Sequence, residues 1–336
     1  MVTLYVATRD ALLVASGGPG DWETSTRLTE HEPECLAVHP DRSERVVCGT
    51  FDAGVLRSDD GGDSWNRVGE NVVDSDAVTS LATNPEDADE LWVGTEPSAV
   101  YHSTDGGDAW VQKRGLTALP SASNWSFPPR PETHHVRWLE VDPADPAHLY
   151  VAIEAGAFVQ THDRGETWED RVSSARIDTH SMATHPDAPG RAWAAAGDGY
   201  AETRDEGETW QYPQEGLRHR YCWSVVVDSD DPETVLVSSA SGAYSAHTAS
   251  RAESYVYRKR GAGADAGWER LDGRGLPMGE GVTRAVLAAD DGDEFYAANN
   301  HGLFHTADEG DSWRRLAVEW PESFESAAVR GLVAVA

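Results

Sequence analysis

The chain has 336 residues, more than one compact core usually holds, and its 58 carboxylates against 27 basic residues give a net charge of −31. A surface this acidic repels nucleic acid phosphates and anionic membranes, which excludes both as expected partners. Lys113 and Lys259 are the only lysines. Such an acidic, lysine-poor balance is typical of a halophilic protein, because salt screens the self-repulsion, so we expect poor stability in dilute buffer.

The first residues, MVTLYVATRD, contain neither a basic region nor a long apolar run. We therefore expect a cytoplasmic protein that does not span a membrane. The three cysteines are unequally spaced and odd in number, which argues against a disulfide framework and against a CxxC metal site. The sequence does not fix an oligomeric state, and a monomer is the default expectation.

One short motif recurs along the chain. Its first intact copy is Ser58-x-Asp60-x-Gly62-x-x-Trp65. Four more intact copies share this spacing, and they are Ser103/Asp105/Gly107/Trp110, Thr161/Asp163/Gly165/Trp168, Thr203/Asp205/Gly207/Trp210 and Thr306/Asp308/Gly310/Trp313. Two worn copies, at 16–22 and 264–268, bring the number to seven. The hydroxyl and the carboxylate are expected to accept backbone N–H bonds in a tight turn, while the Trp packs into the neighbouring sheet.

The spacing of the motif predicts one four-stranded blade for each copy. Successive Trp residues lie 43, 45, 58, 42, 58 and 45 positions apart, close to the length of a propeller blade. The expected blade boundaries lie near Trp22, Trp65, Trp110, Trp168, Trp210, Trp268 and Trp313. Each period contains short alternating strands bounded by Gly, Pro and Asp, and a fourth strand is expected after each Trp. The prediction is an all-β, seven-bladed β-propeller that forms one domain over 1–336.

The two ends of the chain predict how the ring closes. The N-terminus begins with a second strand, TLYVATRD, and has no inner strand of its own. The C-terminal segment VRGLVAVA resembles the inner strands and has no second strand after it. Residues 328–336 are therefore expected to complete the blade begun by residues 1–27, which removes an exposed strand edge.

The repeats resemble the Asp-box, or BNR, repeat over nearly the whole chain. Proteins with such repeats include sialidases, xyloglucan-degrading hydrolases, sortilin-type receptors and a photosystem II assembly factor. The resemblance implies a propeller with structural Asp-box turns, and function does not follow from it. The chain departs from sialidases, which have six blades and an N-terminal Phe-Arg-Ile-Pro-type motif, and from xyloglucanases, which pair two propellers around a cleft.

Two insertions lie on the predicted face that carries the loops into the inner strands, which we call the mouth. They are residues 113–133 and 242–253, and insertions on one face are typical of a binding surface. Alignment of the inner strands gives seven equivalent positions, which are Glu34, Thr79, Arg137, His180, Trp223, Arg284 and Arg330. Positions two residues earlier face the same way by strand alternation, and those singled out are His135, Asp178 and Tyr221. The mouth turns add Arg9, Glu154, Asn300 and His301.

Two interpretations of these polar positions are open. One is a water-filled channel lined with satisfied polar groups. The other is a ligand site, in which Arg137, Arg284 and Arg330, helped by Arg9, bind a carboxylate, phosphate or sulfate.

The titratable residues carry the candidate chemistry. His135 and His180, with Glu154, could bind a divalent metal or act as general base and acid, although no metal is required. Glu154 is the preferred acid–base carboxylate, and its alternative is a salt bridge to Arg137 or Arg171. Tyr221 is either a nucleophile or hydrogen-bond donor or a packed aromatic residue. Trp125, Phe127 and Trp223 either stack on a sugar or pack in the core.

The expected function is that of a glycosidase-like hydrolase or a lyase acting on an anionic small molecule or acidic sugar. The alternative is a non-catalytic BNR-type module that binds a protein partner or senses a ligand. Because the polar residues concentrate at the predicted propeller axis, a small ligand is favoured.

Overall fold

The computed structural model describes residues 1–18, 20–261, 266–290 and 294–336, in which 27 strands and six short 3-10 helices occur without an α-helix. The strands are β1 (Val2–Thr8), β2 (Ala11–Gly18), β3 (Asp21–Arg27), β4 (Pro33–Val38), β5 (Val46–Thr50), β6 (Val55–Ser58), β7 (Asn66–Val68), β8 (Val78–Asn84), β9 (Asp87–Thr95), β10 (Val100–Ser103), β11 (Val111–Lys113), β12 (Val136–Val141), β13 (Leu149–Ile153), β14 (Ala157–Thr161), β15 (Thr179–Thr184), β16 (Ala192–Ala196), β17 (Gly199–Thr203), β18 (Tyr221–Val227), β19 (Val235–Ala240), β20 (Glu253–Lys259), β21 (Glu269–Arg270), β22 (Gly279–Glu280), β23 (Val286–Ala289), β24 (Phe295–Asn299), β25 (Gly302–Thr306), β26 (Arg314–Arg315) and β27 (Gly331–Val335). The 3-10 helices are Pro40–Arg42, Leu116–Ala118, Pro120–Asn124, Ala243–Ser245, Ala249–Arg251 and Glu322–Glu325. None of the described helices is long and apolar enough to cross a membrane.

The strands form seven sheets, one for each predicted blade. Their orders are β27-β1-β2-β3, β4-β5-β6-β7, β8-β9-β10-β11, β12-β13-β14, β15-β16-β17, β18-β19-β20-β21 with β22 on β20, and β23-β24-β25-β26. The C-terminal β27 pairs antiparallel with β1, from Thr3 opposite Val335 to Ala7 opposite Gly331. The all-β, seven-bladed β-propeller and its end-to-end closure are therefore confirmed.

The chain divides into two compact units. One consists of Met1–Glu30, Ala195–Tyr200 and Tyr212–Ala336, and the other of His31–Ala194 and Ala201–Gln211. The single domain over 1–336 stays a prediction.

Close packing between successive sheets explains a glycine in their second strands. In the unit that contains His31–Ala194, a Cβ added to Gly49 would lie 2.5 Å from Val78 Cγ1, and one added to Gly94 would lie 2.5 Å from Val136 Cγ1. A valine at the start of the next inner strand thus contacts the bare backbone of the glycine. Only glycine allows so close an approach of neighbouring sheets.

The five intact Asp boxes form the predicted turns. In the first, Ser58 Oγ accepts a bond from Gly62 N at 2.8 Å, and Asp60 Oδ1 accepts one from Ser64 N at 2.8 Å. The other four copies repeat both bonds. The motif therefore acts as a structural device, as its chemistry predicts. The worn copies at 264–268 and 16–22 include Ala264, Asp265 and Pro19, which lie outside the described residues.

The fourth and fifth sheets differ from the prediction because their fourth strands are missing from the described residues. Only the single bridges Gln160↔Glu169 and Glu202↔Gln211 remain there. In the fifth sheet Pro213 follows the bridge by two positions, and a proline has no N–H to continue a strand ladder.

In four inner strands the pairing is irregular at the aligned position that the sequence analysis identified as facing the mouth. The pairing with the second strand slips between Pro33 and Cys35, between Val78 and Ser80, between Val136 and Trp138, and between Cys222 and Ser224. The residues left out of the ladder are Glu34, Thr79, Arg137 and Trp223. A β-bulge bends the strand and re-aims the side chain of the extra residue. The side chains at these four positions therefore need not follow the regular alternation between the two faces of the sheet.

Candidate functional site

Glu154 lies in the tight turn that joins β13 to β14. The next residue, Ala155, has a φ of 52°, which an alanine adopts at a cost of about 1 kcal/mol. Its N–H donates to Asp178 Oδ1 at 3.0 Å, and this bond ties the turn to the loop before β15. The turn therefore fixes the backbone of Glu154 and the carboxylate of Asp178 together.

Glu154 is the centre of a group of charged side chains. His135 Nε2 lies 2.8 Å from Glu154 Oε2, and Arg137 Nε lies 3.6 Å from the same oxygen. His180 Nε2 lies 3.9 Å from Glu154 Oε1 and 3.7 Å from Asp178 Oδ1. We call Glu154, His135, Arg137, His180 and Asp178 the Glu154 cluster. All five were predicted as site residues, and the structure brings them together.

The cluster is largely buried, and its surroundings keep Glu154 ionised. The side chain of Glu154 is 12% exposed, while those of His180 and Arg137 are 1% and 7% exposed. Burial by itself would raise the pKa of Glu154, but the hydrogen bond from His135 and the charges of His180, His135 and Arg137 outweigh it and lower this pKa well below its usual range. At neutral pH the carboxylate can accept hydrogen bonds, but it has no proton to donate and is a weak base. The salt bridge to Arg137, the alternative for Glu154, is compatible with this geometry.

A second ion pair adjoins the cluster. Arg130 binds the carboxylate of Glu96 through Nε and Nη2, at 2.8 and 2.5 Å. Glu96 Oε2 in turn lies 3.7 Å from His135 Nδ1, so the two ring nitrogens of His135 face two different carboxylates. Arg130 comes from the insertion at 113–133, and its guanidinium also covers the ring of Phe127 at 4.8 Å.

The other unit contains a second group, the Arg284 cluster, made of Arg284, Trp223, His247 and Tyr221. Arg284 is fully buried, and its guanidinium carbon lies 3.8 Å from the centre of the Trp223 ring. Arg284 Nε donates to His247 Nδ1 at 3.3 Å, and His247 Nε2 lies 3.0 Å from the hydroxyl of Tyr221. Because Nδ1 accepts a hydrogen bond, Nε2 carries the hydrogen of a neutral His247, and this N–H donates a hydrogen bond to the Tyr221 oxygen.

Sequence reasoning missed Arg130 and His247 as site residues, whereas Glu96 was predicted to lie in a turn at the mouth. The signal that pointed to them was the two insertions, since Arg130 lies in 113–133 and His247 in 242–253. The insertion at 113–133 also contains Trp125, which is 6% exposed and belongs to the hydrophobic core, so its role in the structure is packing.

The remaining predicted site residues are Asn300, His301, Glu34, Arg9 and Arg330. Asn300 Oδ1 accepts from Thr283 N at 2.9 Å, and its Nδ2 donates to Gly281 O at 3.0 Å, so this side chain holds backbone. His301 is exposed. Glu34 is buried, and its charge, like the hydrogen bond and charge of Glu96, raises the pKa of Arg130. Arg9 and Arg330 are half-buried, and the backbone N–H of Arg330 donates to Ala7 O.

The predicted convergence of arginines is not tested by these contacts. Arg137 belongs to one unit, whereas Arg284, Arg330 and Arg9 belong to the other. Their action on one anion stays a prediction.

Among the described residues, one group could hold a metal ion. Glu154, Asp178 and His180 each offer one ligand atom, and these three atoms lie within 4.8 Å of one another. The sequence pointed to His135, His180 and Glu154 instead.

Comparison with known proteins gives matches among solved structures alone. No protein-family model matches the chain, and no curated protein sequence matches it. Solved structures do match. A GH74 enzyme of Niastella koreensis is similar with a TM-score of 0.64 and 16% identity, over 85% of this chain and 45% of that chain. YCF48 from Cyanidioschyzon merolae is similar with a TM-score of 0.60 and 15% identity, over 91% of this chain and 88% of that chain.

A structure of YCF48 bound to D1 peptide is similar with a TM-score of 0.57 and 17% identity, over 85% of this chain and 82% of that chain. The chain thus spans less than half the length of the GH74 enzyme and most of the length of YCF48. Identities this low show the fold, and on that ground the chain is a seven-bladed β-propeller whose structural neighbours include GH74 enzymes and YCF48.

Proposed function

We propose that this chain binds a small anionic molecule, such as an acidic sugar, at the Glu154 cluster and acts on it as a hydrolase or a lyase. The observation that carries the proposal is the 2.8 Å contact between His135 Nε2 and Glu154 Oε2, beside the buried guanidinium of Arg137. A carboxylate partner orients an imidazole and stabilises its protonated form, which suits histidine to proton transfer near neutral pH. The planar guanidinium of an arginine matches the carboxylate of a ligand.

In this proposal the histidines move protons and Glu154 orients them. Glu154 is no acid at neutral pH, because its pKa lies well below the usual range. In a hydrolase, one imidazole removes a proton from the attacking water and the other gives a proton to the leaving oxygen. In a lyase, one imidazole removes the proton on the carbon beside the ligand's carboxylate, the electron pair forms a C=C bond, and the leaving oxygen departs with a proton from the other. Arg137 neutralises the ligand's carboxylate in both cases.

The second candidate is a non-catalytic binding module. YCF48 supports it, because the similarity covers 82% of the chain that was solved with a bound D1 peptide, against 45% of the GH74 enzyme. A protein partner normally needs a broad exposed surface, whereas His135, Arg137 and His180 of the Glu154 cluster are buried and Asp178, its most exposed side chain, is 31% exposed. The buried cluster therefore favours the small ligand.

The test is calorimetric titration with uronic acid oligosaccharides and matched neutral sugars, at high KCl, followed by assays of bond cleavage. We expect the acidic sugars to bind and the neutral ones not to bind. Arg137→Gln should weaken the binding at least about tenfold, a loss of about 1.4 kcal/mol. His135→Gln should keep binding and lower turnover about 100-fold, the usual contribution of one acid–base group.

The matched control is Arg67→Gln, which removes an arginine that is 43% exposed and pairs with Asp76. It should leave binding and turnover unchanged. If Arg137→Gln and Arg67→Gln bind alike, or if acidic and neutral sugars bind alike, the proposal is wrong. Acidic-sugar binding without cleavage at any pH would favour the non-catalytic module.

A further inference from the structure

The two oxygens of Glu154 face different partners. Oε2 lies 2.8 Å from His135 Nε2 and 3.6 Å from Arg137 Nε, while Oε1 is the oxygen nearer His180, at 3.9 Å from its Nε2. A carboxylate whose one oxygen is held by neighbouring donors is oriented in the manner of a metal ligand with an outer shell. Asp178 Oδ1 lies 3.7 Å from the same nitrogen of His180, and it is oriented by a hydrogen bond from the N–H of Ala155.

We propose that Glu154, Asp178 and His180 bind a divalent cation, Mn²⁺ or Zn²⁺, at the site to which the proposed function assigns the small anion, and in that respect the inference rests on that function. The three ligand atoms lie within 4.8 Å of one another. For an ion about 2.2 Å from each atom, the separations of 3.7 and 3.9 Å correspond to angles of about 115° and 125°. Two carboxylate oxygens and one imidazole nitrogen are a set that these ions accept, whereas Mg²⁺ and Ca²⁺ prefer oxygen alone.

His135 is not part of this ligand set, because both of its nitrogens face carboxylates. Nε2 lies 2.8 Å from Glu154, and Nδ1 lies 3.7 Å from Glu96. In the cation site it holds Glu154 with Oε1 directed toward His180. With the ion bound, His180 is a ligand, and His135 is the histidine of the pair that remains for proton transfer. Asp178 takes the place that the sequence suggested for His135.

Charge and exposure also fit a cation that is open to a ligand. Metal binding requires the neutral form of His180. When His135 is neutral as well, the carboxylates of Glu154 and Asp178 outnumber the guanidinium of Arg137 by one negative charge. A bound divalent ion would make the cluster positive and add to the attraction for an anion, since a bound ion is often the largest charge of its site. The side chain of Asp178 is 31% exposed against 1% for His180, so the ion would be reached from the Asp178 side.

The experiment is a titration of the full chain with Mn²⁺ alone, without any sugar, followed by the electron paramagnetic resonance signal of the free ion. High KCl suppresses weak binding to a surface of net charge −31. We expect one tight site in the wild type, and binding at least about tenfold weaker in Asp178→Asn. The asparagine keeps an oxygen for the N–H of Ala155, so this variant should fold. The control Glu166→Gln, at a carboxylate that is 73% exposed, should bind as the wild type does.

A second measurement protects the result against a folding defect. Mn²⁺ and, in a parallel series, Zn²⁺ should raise the melting temperature of the wild type and of Glu166→Gln but not that of Asp178→Asn, because only a folded site binds the ion. Equal binding by the wild type and Asp178→Asn overturns the cation site, as does binding of neither ion. If Mn²⁺ binds while no acidic sugar does, the cation site stands and the proposed function falls. If acidic sugars bind while neither ion does, the proposed function stands and the cation site falls.

Discussion

The Asp-box turns and the Glu154 cluster both hold a carboxylate at a lowered pKa, but they do so with different partners. Asp163 accepts from Thr161 Oγ1, Thr167 N and Thr167 Oγ1, which lie two and four residues away in the same turn. Glu154 is held by His135, 19 residues away, and by Arg137, both on or beside a neighbouring strand. One environment is local and made of neutral donors. The other is non-local and made of charges.

This difference determines how far the effect of a substitution on stability should extend. An Asp-box carboxylate lies at the surface and supports only its own turn, and so its loss costs a few local hydrogen bonds. Loss of Glu154 removes a carboxylate that lies 2.8 Å from His135 and 3.6 Å from Arg137 inside the protein, where an uncompensated charge is costly. The repeated region should therefore respond turn by turn, and the cluster as a unit.

The largest expected effect is that of Glu154→Ala. We expect the free energy of unfolding to fall by about 3 kcal/mol, the usual cost of breaking a buried ion pair by removing one partner. Urea unfolding at pH 7 and high KCl measures it. Glu166→Ala is the matched control, because this carboxylate is 73% exposed and pairs with Lys113 at 2.8 Å. It should cost less than about 1 kcal/mol. Equal losses in the two variants would show that the charge of Glu154 does not organise the cluster.

A smaller effect is expected in a double-mutant cycle. Glu154→Gln and His135→Gln should show a coupling of about 1 to 2 kcal/mol in the free energy of unfolding, because the two side chains share a direct contact. Asp105→Asn and Asp205→Asn belong to different Asp boxes and should add within about 0.5 kcal/mol. Additivity in the first pair, or coupling in the second, would remove the distinction between the two regions.

Sequence spacing predicts the Asp-box region well because its contacts are short-range. Ser58, Asp60 and Gly62 find their partners within the same turn, so the order of residues already contains the geometry. Closure by the last strand follows equally from the missing inner strand at the N-terminus. The missing fourth strands of two sheets could be anticipated only in part, from Pro213.

The site is predicted less completely because its geometry depends on irregular backbone. The members of the Glu154 cluster were found by aligning repeats, and the alignment assumed regular strands. Arg137 lies at a β-bulge that the alternation of residues does not reveal. The ion pair of Arg130 with Glu96 depends on the path of the insertion at 113–133, for which no other blade offers a template. His247 was missed for the same reason in the insertion at 242–253.

The smallest expected effect is a difference in acid sensitivity. Hydrogen bonds from Thr167 and Thr161 lower the pKa of Asp163 from its ordinary 3.8 to about 2. Because the folded pKa is lower than the unfolded one, the ionised carboxylate favours the folded state. This contribution is complete above about pH 4 and disappears as the pH falls through about 2.

The stability gap between the wild type and Asp163→Asn should therefore be largest at pH 5 and should close as the pH approaches about 2, since a protonated Asp163 resembles asparagine. The gap for Glu154→Gln should persist to lower pH, because the pKa of Glu154 is lowered further by its charged neighbours. Urea midpoints measured along this pH series at high KCl compare the two directly. If both gaps close together, the charges around Glu154 hold its carboxylate no more firmly than a single turn holds Asp163, and the electrostatic distinction between the cluster and the repeats is lost.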